Sequence, residues 1–132
     1  MTCLALVLLA LMVQSEAGSE SFEGKVAVAY VAVNRAEASA RAKYYVVSQV
    51  VLGDYLVEIL RAPKQFALFP RVVISESSWL AARIALGRLQ PDPTHGADHF
   101  YARSVKPLPA WYDERYITAR IGRHDFLNLG GF

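Results

Sequence analysis

The chain has 132 residues, 54% hydrophobic and 20% charged, which excludes a charge-rich disordered protein and supplies core enough for a single domain over 1–132. One cysteine, Cys3, excludes an internal disulfide and leaves the redox compartment open. Fourteen Lys plus Arg against twelve Asp plus Glu is a mild basic excess, with no run dense enough to indicate nucleic acid.

Residues 3–13, CLALVLLALMV, are apolar throughout. Two readings compete. One is a secretory h-region with a small-x-small cleavage site at Ser15-Glu16-Ala17, although no Lys or Arg precedes it. The other is a buried core helix ending near Gln14. Either way the run falls short of the ~20 apolar residues a bilayer span needs, so no stable membrane span is expected. Gly18 and Ser19 break the pattern, and Glu20 and Glu23 stand where a new helix starts, where acids complement the helix dipole. Phe22, Val26, Ala29, Tyr30 and Val33 then recur at helical spacing, predicting a buried helix over 22–35 closed by Asn34 and Arg35. Residues 36–50 are alanine-rich and then valine-rich, and ambiguous.

Asp54 is a suitable N-cap for a helix over 55–62, which Pro63 stops. Residues 64–70 read as a loop or short extended piece. Ser75 caps a helix over roughly 76–89, with Trp79, Ala82, Leu86 and Leu89 on one face and Gly87 weakening its end. PDPTHGA (91–97) is turn chemistry, and HFYA (99–102) is extended. Residues 117–126 alternate around Gly122 as a strand, or a strand with a bend. The order predicts an α+β domain, mostly helical, with a short late β element.

Three constellations could carry chemistry. Glu16 ends an apolar helix, where the negative helix terminus and greasy neighbours both raise a carboxyl pKa, as a general acid near neutral pH requires. By itself it reads more readily as an exposed loop acid or part of a removed leader. His95, His99 and His124 are the histidines; His95 and His99 have a helical metal-site spacing. Gly96 and Pro93 oppose a helix there and no cysteine is near, so no metal and no cofactor are expected. Phe100, Tyr101, Trp111, Tyr112 and Tyr116 gather aromatic surface suited to sugar faces, with core packing the default for each. Serine-nucleophile motifs and glycine-rich phosphate loops are absent from the sequence.

Three blocks together resemble the cell-wall hydrolase family typified by the spore-cortex-lytic enzyme SleB, phage members included. LALMVQSEAGSESFEGKVAVAYVAVNR (9–35) is similar to its E-A-x-G-E and E-G-x-V-A-x-A-x-V-x-N-R helices. KQFA (64–67) is similar to its Q-F-S element. DPTHGADHFYA (92–102), Trp111 and ITARIGRHDF (117–126) are similar to its late blocks. The resemblance implies a lysozyme-like domain cleaving the β-1,4 bond between N-acetylmuramic acid and N-acetylglucosamine. It makes Glu16 the catalytic acid, and Gln65, Phe66, His99, Phe100, Tyr101 and Trp111 the groove lining. Glu20, Glu23 and His124 would be supporting residues. The chain departs from the pattern in E-A-G-S-E, which lacks the arginine and shifts the glycine, and in Ala67, which replaces a serine.

The expected partner is the peptidoglycan glycan strand, met by a monomer. Two other classes compete with a lytic transglycosylase or muramidase. One is a secreted cell-wall or sugar-binding module without residues 1–17, and the other a catalytically inactive virion protein. Location follows the same split: cytoplasmic until lysis or virion-associated for a phage product, otherwise secreted to the wall.

Overall fold

In the computed structural model, which describes residues 3–63, 65–69 and 71–130, one helix forms the axis of the protein. This is α2 (Phe22–Arg41), in which every residue from Gly24 to Val33 is buried. A helix apolar on all sides belongs inside a core, and three others surround this one: α1 (Cys3–Ala17), α3 (Gln49–Arg61) and α4 (Glu76–Gly87). Leu9, Met12 and Val13 of α1, Leu56 and Leu60 of α3, and Leu86 of α4 are fully or almost fully buried against it. The apolar N-terminal run is thus a core helix, continuing past Gln14 through Glu16 to Ala17.

Serine starts each later helix. Ser21, Ser48 and Ser75 cap α2, α3 and α4, each accepting through Oγ from the backbone N–H three residues on. Two predicted boundaries are corrected. Asn34 and Arg35 do not close α2, because the alanine-rich stretch after them has high helix propensity and Glu37 pairs with Arg41 one turn on, at 3.0 Å. Asp54 lies inside α3, whose cap is Ser48; Leu52, Leu56 and Leu60, four apart, form the buried stripe that sets its start. At the far end α4 stops at Gly87. Arg88 takes a left-handed conformation, and Leu89 falls outside the helix, exposed.

The last third forms a three-stranded antiparallel sheet in the order β1-β3-β2: β1 (His99–Ala102), β2 (Ile117–Ile121) and β3 (His124–Leu127). Residues 117–126 are therefore a hairpin with a two-residue turn at Gly122-Arg123, rather than one bent strand. Gly122 has φ +58°, as glycine-led hairpin turns require. A bulge near Thr118 lets its Oγ1 donate to the Thr94 carbonyl at 2.5 Å, fastening the sheet to the 91–97 turn. In that turn Asp92 accepts from Thr94 and Gly96 N–H and from Asn34 Nδ2.

Candidate active site

The last turn of α1 carries three polar residues in succession, and each receives a donor from the chain at 65–78. Gln14 Oε1 accepts from Ser75 N–H at 3.0 Å and Ser78 Oγ at 2.8 Å. Ser15 Oγ accepts from Phe69 N–H at 2.9 Å. Glu16 Oε1 accepts from Ala67 N–H at 3.2 Å. The backbone N–H groups of Ala67, Phe69 and Ser75, all ahead of α4, are thereby satisfied by side chains of a helix end.

Glu16 is half-buried, and its other side opens on a cavity of about 170 Å³. Ser19, Glu20, Ala102, Ser104, Arg123 and His124 complete the lining. Desolvation raises the Glu16 pKa, opposed by the Ala67 hydrogen bond and the Arg35 charge. Arg35 is buried in α2. Its Nε donates to the Asp98 carbonyl at 2.5 Å and its Nη1 to Gln65 Oε1 at 2.9 Å, and its guanidinium lies 4.8 Å from the Phe66 ring centroid. Burial lowers its own pKa, countered by Asp98 and Glu16.

A second carboxylate shares the cavity in an opposite environment. The Glu20 side chain is 5% exposed. Burial alone would raise its pKa. The Arg123 side chain (Nε to Oε2, 2.8 Å), the Arg123 backbone N–H (to Oε1, 3.2 Å) and His124 together hold it below the ordinary carboxylate range. His124 is the mirror case: desolvation lowers its pKa and Glu20 opposes the change. Two carboxyl groups whose surroundings push them apart are suited to separate roles, one protonated and one ionised.

The sheet sorts the remaining candidates. Alternation along β1 turns Phe100 and Ala102 to the helical side. There Phe100 stacks on Phe66 (centroids 6.3 Å) and meets the His124 ring edge-on at 5.5 Å. Gln65, Phe66, Phe100 and His124 thus gather with Arg35 around the Glu16 side. His99 and Tyr101 turn to the opposite face. His99 Nδ1 lies 2.9 Å from Asp98 Oδ1, and its ring is 4.7 Å from that of Trp111, which is 39% exposed. Tyr101 is buried against Tyr112, and its hydroxyl donates to the Val105 carbonyl. Glu23 stands exposed in the first turn of α2, away from the cavity wall. His95 is exposed, and among the described residues no group of three His, Cys, Asp or Glu could hold a metal.

Sequence reasoning gave Arg35 only a helix-ending role. Its neighbour Asn34 also binds the Ala97 carbonyl, at 2.9 Å, so the Asn-Arg pair clasps the 92–98 turn from α2. A charged residue closing a continuous apolar helical run was the available signal. Arg123, Ser19 and Ser104 were likewise not singled out.

A mostly helical α+β domain with a shielded glutamate at a helix end, facing a small sheet across a cavity, is lysozyme-like in architecture. The catalytic domain of the Bacillus cereus SleB protein shares the fold, with a TM-score of 0.70 at 22% identity, covering 96% of this chain and 91% of that one. The cell wall hydrolase profile matches residues 19–127, and the chain belongs to that family. No curated protein matches the chain by sequence. The matched span begins three residues after Glu16, so the assignment of that residue rests on the geometry and the motif.

Proposed function

We propose that the protein cleaves the β-1,4 bond between N-acetylmuramic acid and N-acetylglucosamine in peptidoglycan, with Glu16 as general acid. The observation that carries this reading is the half-buried Glu16 carboxyl, with raised pKa, on the wall of a polar cavity. The protonated Glu16 gives its proton to the glycosidic oxygen as the C1–O bond breaks, leaving an oxocarbenium-like sugar. The carboxylate then takes a proton from the group that attacks C1. If that group is the C6 hydroxyl of the same muramoyl residue, the product is a 1,6-anhydro sugar and no water is consumed; if it is water, the outcome is hydrolysis.

Glu20 is the other carboxylate of the cavity, and Arg123 and His124 engage both its oxygens. These contacts fix that carboxylate against the hairpin turn, which supports a positioning role for it and leaves Glu16 as the proton donor of the reaction. Glu16→Gln is expected to reduce clearing of purified sacculi by about 10²–10⁴-fold with an unchanged circular dichroism spectrum. Mass spectra of the released muropeptides should carry anhydro ends. Equal clearing by both proteins defeats the assignment, and reducing ends with incorporated water convert it to a muramidase. Sacculus binding without cleavage by the unaltered protein would instead establish the binding-module or inactive-virion reading.

A further inference from the structure

His124 presents an unusual feature for a β-strand histidine. Its Nδ1 is fully buried without an aligned hydrogen-bond partner, 3.4 Å from Glu20 Oε1. The ring is packed by Phe100 at 5.5 Å and Phe126 at 6.2 Å, yet it lines the same cavity as Glu16. The charged groups around it are Glu20 from the α1–α2 corner, Arg123 from the hairpin turn and Arg103 from beyond β1. Glu20 itself is immobilised. Arg123 binds both its oxygens, and a Cβ at residue 122, already disfavoured by φ +58°, would stand 2.7 Å from Oε1 and push against that carboxylate.

An imidazole whose Nδ1 faces a fixed carboxylate carries its proton on that nitrogen, and the opposite nitrogen becomes an acceptor. We propose that Glu20 is a positioning residue that holds His124 as the Nδ1–H tautomer, so that Nε2 accepts a hydrogen bond from a hydroxyl or acetamido N–H of the saccharide beside Glu16. The proposal rests on reading the cavity as a glycan site. It gives Glu20 a role other than nucleophile, and it makes the β2–β3 hairpin part of substrate recognition. His124 touches the sugar, whereas Glu20 acts through it.

The test uses the full chain with ¹⁵N-labelled histidine. Long-range ¹H–¹⁵N spectra report which ring nitrogen bears the proton, and His95→Gln and His99→Gln variants assign the three histidines. The probe is the N-acetylglucosaminyl-N-acetylmuramic acid disaccharide, added to wild type and to Glu16→Gln. The expected result is an Nδ1–H tautomer in both proteins and displacement of the His124 Nε2 signal by the disaccharide. Glu20→Gln should lose the tautomer preference and lower kcat by about a hundredfold, and Glu20→Asp should restore the tautomer and part of the rate. An Nε2–H tautomer in wild type, or an His124 signal that the disaccharide leaves in place, overturns the proposal even if Glu20→Gln fails to fold. So does a tautomer that Glu20→Gln leaves unchanged. A Glu16→Gln protein that clears sacculi while His124 responds as expected would defeat the Glu16 assignment alone.

Discussion

At the scale of single residues, Glu16 has a consequence for stability beside the chemistry proposed for it. Its folded pKa lies above its unfolded one, because burial disfavours the charged form. Between those two values the folded state binds more protons, so stability falls as pH rises through that window and the cost is fully present above it. Glu16→Gln removes the cost while keeping an oxygen to accept from Ala67 N–H. The variant is expected to melt at a higher temperature than wild type at neutral pH, the difference vanishing below the ordinary carboxylate range. Thermal unfolding across pH 3–8 checks it, and a variant less stable at neutral pH would contradict it. Glu20 has the opposite sign: its folded pKa is depressed, so its contribution is present above the unfolded value and is lost as pH falls through the folded one. The Glu16 environment was legible in the sequence because helix polarity and apolar neighbours are local. Arg35 was not, because its partners Gln65 and Asp98 lie 30 and 63 residues away.

At the scale of elements, the hairpin turn shows two constraints meeting at one atom. Gly122→Ala must place a side chain at φ +58° and 2.7 Å from Glu20 Oε1. A loss of about 1–3 kcal/mol is expected, measured by urea unfolding. Combining it with Glu20→Ala in a double-mutant cycle should recover part of that loss, since the clash disappears while the backbone strain remains. Strictly additive losses would mean the close approach costs nothing. Ser75→Ala is expected to cost about 1–2 kcal/mol, toward the upper end because its Oγ also meets Lys25 Nζ and Ser78 Oγ. The Ser75 cap was readable from composition alone. The end of α2 and the start of α3 were not. Valine-rich 46–51 carries strand propensity that burial of Leu52, Leu56 and Leu60 overrides, and the change from apolar to polar residues at Asn34-Arg35 masks a helix that runs on through six more residues to Arg41. The hairpin reads in the sequence as a strand, or a strand with a bend, because a two-residue turn leaves the alternation almost uninterrupted.

At the scale of the whole molecule, the helix that resembles a leader is a wall of the core around α2. Leu9, Met12 and Val13 are completely buried, and α1 packs on α2, α3 and α4. Each such side chain contributes about 1.5–3 kcal/mol on burial, so losing the three together rivals the roughly 5–15 kcal/mol that holds a domain folded. The same helix ends in the side chains that fasten residues 65–78, and in Glu16 itself. Fold and proposed chemistry therefore share one segment. A chain lacking residues 1–17 is expected to show neither a cooperative thermal transition nor dispersed amide resonances, and to leave sacculi intact. The milder Leu9→Ala should cost about 2–5 kcal/mol while preserving catalysis at low temperature, because it lies two turns from Glu16. A truncated chain that folds cooperatively and still binds sacculi would show that α2, α3, α4 and the sheet suffice as a sugar-binding module, with the glutamate an addition to it.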